Sequence, residues 1–189
     1  LIEIQTSNFS AIKKKLMTLI RSHPVRLVHP IAREKWIVRE SLDGSIELGK
    51  RRSPKKKSLE NLFEELVSLP ELVAHQNFSL EILLIREEEI RRNDGKGSWR
   101  RKGWSIVDRR LVEVTNQYLF KKPEEFLLFI PDSLTRPFTS TDLAKAINKP
   151  RWLVQKMTYC LRKMGAITVC GKRRRAYLHT DSNSKQSQT

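Results

Sequence analysis

Cysteine, glycine, acidic residues and long apolar runs are all scarce in this chain of 189 residues, and each scarcity removes a class of protein. The two cysteines, Cys160 and Cys170, are too few for a disulfide framework and lack the paired spacing of a zinc site. A reducing cytoplasm is therefore the expected compartment. None of the seven glycines falls in a GxGxxG or GxxxxGK[ST] pattern, so no phosphate-cradling loop of either type is encoded. No apolar run approaches the roughly 20 residues that span a bilayer, so no membrane partner is expected. His23, His29, His75 and His179 show no metal-ligating spacing. Acids are outnumbered, 21 against 37 Lys and Arg, for a net charge of +16. A charge of that size concentrates anions at the surface and suits a polyanionic partner, DNA or RNA among them. Nothing in the sequence sets the oligomeric state.

The N-terminal half alternates strand and helix patterns. LIEIQ reads as strand although it opens the chain at Leu1 rather than Met, which leads to the expectation of a truncated or processed chain. In FSAIKKKLMTLIRSH, residues Phe9, Ile12, Leu16, Leu19 and Ile20 recur at helical spacing, Asn8 or Ser10 can cap, and Pro24 ends the helix. VRLVHPI and EKWIVRE read as two strands, and Leu42-Asp43-Gly44-Ser45 as a hairpin turn. A strand, a crossover helix and a strand make a β-α-β unit of a mixed sheet. Ser58 is placed to cap a helix in LENLFEELVSL. Phe78–Ile85 reads as strand, with a helix running into EEEIRR as the alternative. The acids Glu87, Glu88 and Glu89 point to a salt-bridged helix end.

The expected organisation is an α/β (or α+β) domain over residues 1–97, a second domain over 98–180, and a disordered tail over 181–189. IVDRRLVEV reads as helix, one of the leading helices from Ile106 to Ile130, with Phe126, Leu127 and Ile130 inward and Pro131 as the stop. From Pro137 onward the pattern sharpens. Thr139 followed by Asp142 is a helix cap, with Leu143 and Ile147 inward and Asn148-Lys149 as the turn. Pro150 suits the first position of a second helix. Leu153, Met157, Leu161 and Met164 share one face of it, which leaves Arg151, Trp152, Gln155, Lys156, Tyr159, Arg162 and Lys163 toward solvent. Gly165 stops the helix. Ile167, Val169, Ala176 and Leu178 line a hairpin whose loop carries Lys172, Arg173, Arg174 and Arg175.

From Leu127 to Thr180 the chain resembles the winged helix-turn-helix family, on the strength of the two capped helices followed by MGAITVCGKRRRAYLH. The resemblance implies a DNA-binding domain whose second helix enters the major groove, with Arg151 facing guanine and Gln155 facing adenine. The wing cations would meet phosphate, which supplies affinity and salt dependence but little sequence reading. A protein or RNA partner for the same module is the alternative.

Leu1–Val38 resembles part of the PD-(D/E)xK nuclease core of restriction endonucleases. In that family an acid and a lysine two residues apart on one strand point the same way. The resemblance implies Glu3 as a Mg²⁺ ligand, Gln5 in place of the catalytic lysine, and Lys35 approaching from the next strand. The chain departs from the pattern at Gln5 and has no aspartate on a preceding strand, and one carboxylate holds Mg²⁺ weakly. A metal-dependent nuclease and a non-enzymatic binding relative both follow as readings.

Two further basic segments are candidates for backbone contact. KRRSPKKKS carries Lys50, Arg51, Arg52, Lys55, Lys56 and Lys57 without an apolar anchor and reads as an exposed loop. SWRRKGW joins two tryptophans to Arg100, Arg101 and Lys102, suited either to stacking on unpaired bases or to anchoring a loop in the core.

Overall fold

The computed structural model describes residues 1–182; of the expected tail 181–189, Asp181 ends the last strand, and the residues from 183 onward lie outside the described residues. The elements are β1 (Ile2–Ile4), α1 (Phe9–Leu19), β2 (Val25–Glu40), β3 (Glu47–Arg52), α2 (Phe63–Leu66), β4 (Phe78–Asn93), β5 (Trp104–Phe120), α3 (Ser140–Ala146), α4 (Arg151–Lys163), β6 (Ile167–Arg173) and β7 (Ala176–Asp181). Five strands form one sheet in the order β1-β2-β4-β5, with β3 also on β2. The sheet is mixed: β1 runs parallel to β2, and β3 antiparallel to it. The β1-α1-β2 segment is thus the β-α-β unit that the sequence pattern predicts.

The chain divides into two compact units that are not sequential. One holds residues 1–29, 60–81 and 118 onward, the other residues 30–59 and 82–117.

In the first unit, Phe9 and Leu16 are the buried residues of α1. Asn8 at its N-cap is left-handed at φ 59°, a conformation asparagine tolerates, and its side chain accepts the Ser10 hydroxyl at 2.6 Å instead of capping the helix. LENLFEELVSL forms a 3-10 turn at Leu59–Leu62 and one α turn at Phe63–Leu66 rather than a single helix. Phe63, Phe120, Phe126 and Phe129 form an aromatic cluster, with centroids 4.8 Å apart for Phe63–Phe129 and 4.3 Å for Phe120–Phe126. Phe126 and Phe129 sit on the 3-10 segment Pro123–Phe129, where an α-helix is predicted. Against this body packs α4, through Leu153, Val154, Met157, Cys160 and Leu161, and α3 packs on α4.

The second unit is almost wholly strand, and here two sequence expectations fail. IVDRRLVEV is not helical but lies within β5, and EEEIRR is not a helix end but the continuation of β4. VRLVHPI and EKWIVRE are likewise one strand, continuous through Pro30. The β1 ladder ends at Val28 and the β3 ladder begins at Trp36, so on that side of β2 no partner asks Pro30 for an N–H. Strand geometry sends Glu87 and Glu89 to one face and Glu88 to the other. Lys35 accordingly bridges Glu87 at 2.9 Å and Glu89 at 3.1 Å, while Lys50 takes Glu88 at 2.6 Å. Arg52 and Arg86 both reach Glu34, and Arg92 pairs with Glu40. The Leu42–Ser45 turn closes β2 onto β3 as predicted, with Gly44 at φ 79°. Lys50, Arg51 and Arg52 belong to β3 and not to an exposed loop, because they continue its ladder opposite Val38, Ile37 and Trp36.

Candidate nucleic-acid interface

Residues 137–182 build a winged-helix-like module from the bottom up. Thr139 and Asp142 close the predicted capping box: the Asp142 N–H donates to Thr139 Oγ1 at 3.2 Å, and the Thr139 N–H donates to Asp142 Oδ2 at 2.8 Å. The Thr139 backbone N–H, the Thr139 hydroxyl and the Arg173 guanidinium together hold the Asp142 carboxyl below the usual carboxylate range, against a smaller opposing push from burial. Asn148 turns the chain in the left-handed region at φ 50°, and Pro150 sits at the N-cap of α4 rather than at the predicted first helical position, which Arg151 takes. Gly165 ends the helix at φ 89°, where an L side chain would be strained. The hairpin β6–β7 follows, with Arg174 at φ 56° in its two-residue turn. Phe138 adds a third strand position by exchanging both backbone hydrogen bonds with His179, at 3.0 and 2.8 Å.

The exposed side of α4 and the wing enclose a concave surface of about 300 Å³ lined by Ser140, Thr141, Arg151, Gln155, Thr158, Tyr159, Arg162, Arg175, Ala176, Tyr177 and His179. Helical spacing brings Arg151, Gln155, Tyr159 and Arg162 onto this surface, on the side of α4 that the sequence pattern leaves outward. Wing and helix meet over Tyr177, which has Lys172 Nζ 5.2 Å and the Arg162 guanidinium 5.9 Å from its ring centroid. Tyr177 was not among the sequence candidates, although an aromatic residue on a strand otherwise carrying Ala176 and Leu178 was its available signal. His179 lines the same surface, and burial, then the Arg162 charge, pushes its pKa down. Its Nδ1 has no hydrogen-bond partner among the described residues.

The other predicted contacts do not belong to the lining of this surface. Trp152 is half-exposed beside Lys156, whose Nζ lies 5.8 Å from the indole centroid. Arg173 reaches back to Asp142 at 3.0 Å, and Arg174 is exposed in the turn. In the other unit Lys55, Lys56, Lys57, Arg100 and Lys102 are exposed, whereas Lys50 and Arg52 are paired to Glu88 and Glu34. Trp99 stands 82% exposed with Arg100 over its ring, while Trp104 lies half-buried beneath Arg39. Arg101 donates to the Trp104 carbonyl at 3.1 Å and so braces the loop.

The residues drawn from the nuclease resemblance are engaged otherwise. Glu3 is paired with Lys15 at 2.6 Å. The Gln5 side-chain amide donates to the Ser7 carbonyl, and its backbone carbonyl meets His29 Nδ1 at 2.8 Å. Lys35 is held between Glu87 and Glu89. Among the described residues no three His, Cys, Asp or Glu side chains gather in the manner a metal ion needs. A lone carboxylate already neutralised by an ammonium does not fit Mg²⁺, and no catalytic step is built on it.

Comparison with known proteins bears on the strand-rich part. Residues 1–121 match the family described as Domain of unknown function (DUF8091). The chain belongs to that family. The match stops short of the winged-helix-like module. A relative from Treponema pallidum (strain Nichols), named "Uncharacterized protein", is 34% identical over 145 residues, covering 77% of this chain. The chain spans 57% of that relative's length. No solved structure matches. No helix among the described residues is long and apolar enough to cross a membrane.

Proposed function

We propose that this protein binds duplex DNA through the concave face of α4 and the wing. The observation that carries the reading is that three arginines without a carboxylate partner gather on one concave surface, whereas Arg21, Arg33, Arg39, Arg51, Arg100, Arg101 and Arg174, also without one among the described residues, lie outside its lining. Arg26, Arg52, Arg86, Arg91, Arg92, Arg109, Arg110, Arg136 and Arg173 all sit in ion pairs. Among the described residues Arg151, Arg162 and Arg175 have no carboxylate within ion-pair distance, and all three line one surface. Three uncompensated guanidiniums on a concave wall repel each other, and phosphates relieve that repulsion.

In this reading Gln155 faces base edges with Tyr159 beside it, and Arg151 and Arg162 grip the adjacent phosphates. Lys172, Arg174 and Arg175 grip backbone, with Arg173 joining them when it leaves Asp142. Trp152 and Lys156 lie at the rim. The exposed cations Lys55, Lys56, Lys57, Arg100 and Lys102, with Arg51, suit weaker, sequence-independent phosphate contacts of their own. The sheet of the DUF8091 family then serves as the body that carries the reading module.

Fluorescence anisotropy with a labelled duplex, a single strand and a double-stranded RNA of the same length tests the proposal. The expected result is salt-sensitive binding to the DNA duplex that weakens when Arg151 and Gln155 are changed to alanine. Equal affinity for RNA, or no duplex binding at low salt, overturns it.

A further inference from the structure

The sheet has three open edges among the described residues, and they are not alike. Strand β1 is three residues long, and β3 is six residues ending in Lys50-Arg51-Arg52. Shortness and like charge are the usual protections against edge-to-edge pairing. Strand β5 has neither. It runs 17 residues without proline or glycine, and among the described residues its only strand neighbour is β4. Residues 107–114 are all exposed, so both faces of this stretch are open to water. Val107, Leu111, Val112 and Val114 are 45, 62, 51 and 44% exposed, a concentration of uncovered aliphatic side chains on a single edge. Its charges, Asp108, Arg109, Arg110 and Glu113, are of both signs.

We propose that β5 pairs antiparallel with β5 of a second copy of this chain, around a twofold axis at Leu111. The choice of occupant comes from the charge order along the strand. A twofold perpendicular to the sheet pairs residues on the same face, so the axis passes between one residue and its own copy, and the positions flanking that residue oppose each other. Centred on Leu111, Arg109 lies opposite Glu113 twice, Leu111 meets Leu111, and Val107 meets Thr115. On the other face Arg110 meets Val112 and Asp108 meets Val114. No like charges face each other in this register. Centring on Arg109, Arg110 or Glu113 sets a charge against its own copy, which is destabilising in directly opposed pairs. Centring on Val112 sets Glu113 against Leu111 and leaves Arg109 facing Thr115. Arg109 and Glu113 have side chains 55 and 51% exposed, so each retains surface for a partner beyond its contact with Glu89 or Arg86. The pairing joins two sheets into one continuous sheet and gives an isologous dimer carrying two winged-helix-like modules. It does not depend on what those modules bind.

Sedimentation velocity of the full chain across a concentration series, together with cysteine trapping, tests the register. In a Cys170→Ser background, Leu111→Cys places two thiols opposite each other at a Cβ separation of about 4.5–5.5 Å. Val114→Cys places its copies six residues out of line, about 20 Å apart. The expected result is a concentration-dependent dimer that mild oxidant locks through Cys at 111 at least tenfold more efficiently than at 114. Amide exchange on the unaltered chain gives a second measurement, with protection of residues 107–115 rising with concentration. A chain that stays monomeric throughout, a dimer trapped equally at both positions or at neither, or exchange in 107–115 that ignores concentration each overturns the proposal. A monomer whose β5 is protected only by another protein assigns the edge to that partner instead.

Discussion

Replacing Arg151, Arg162 and Arg175 together by alanine removes the three unpaired guanidiniums of the concave face and should be read as a change in salt slope. Each phosphate contact contributes about 0.9 to the fall of log K with log salt on duplex DNA. Three such contacts account for a slope of about 2.7, equivalent to a roughly forty-fold loss of affinity between 50 and 200 mM salt. The triple variant should therefore bind more weakly at low salt and lose affinity more gently as salt rises. Exposed Arg151 and Arg175 touch little that the fold needs, so thermal unfolding should move little; Arg162 leaves Tyr177 with Lys172 still over its ring. Anisotropy titrations at several salt concentrations, alongside an Arg52→Ala control whose guanidinium is tied to Glu34 at 2.7 Å, give the comparison. An unchanged slope in the triple variant refutes the reasoning, because the cations would then not be meeting phosphate. A slope that falls equally in the control refutes it too, since any cation would serve.

Phe126→Ala should destabilise the first unit by about 3–5 kcal/mol, since its ring is fully buried against Phe120; chemical denaturation measures the loss. Cys160 is buried and its thiol is pushed up to about 12, mainly by burial, so a thiol reagent at neutral pH should label Cys170 alone in the native chain and both cysteines in denaturant. Because the folded pKa of His179 lies below its unfolded value near 6.5, the unfolded state binds the extra proton and stability should fall as pH drops from about 6.5 through the folded pKa. His179→Phe should flatten that part of the stability profile. Asp142 is also depressed, so its contribution is present above the unfolded carboxylate pKa and lost as pH falls through the folded one; Asp142→Asn should remove that acid limb.

The parts of this fold that the sequence announces are those where local chemistry acts alone. Thr139 with Asp142, Gly165, and the turn at Leu42–Ser45 are read from side chains that satisfy their own neighbourhood, and the structure carries each. The face of α4 is legible for the same reason, since a 13-residue helix with one buried side fixes which residues are left outside. Strand β5 was not legible because alternation requires one covered face, and residues 107–114 have none. Without that pattern IVDRRLVEV mimics a helix, and only its β-branched residues Ile106, Val107, Val112 and Val114 argued for a strand. The acidic run misled in a related way. Helical geometry separates Glu87 from Glu89, whereas a strand brings both onto Lys35. No reading of composition reveals which arginines lack partners, because that depends on strand register.

The uneven pairing of charge means that added salt acts with opposite sign on different parts of this chain. Screening weakens the attractive ladder that joins Glu34, Glu40, Glu88 and their cations across β2, β3 and β4. The same ions relax the repulsion among Arg151, Arg162 and Arg175, which have no carboxylate within ion-pair distance among the described residues. Local hydrogen exchange should record this as a loosening of the paired sheet and a tightening of the bare concave face in one titration, so that a single melting temperature, averaging the two, conceals both.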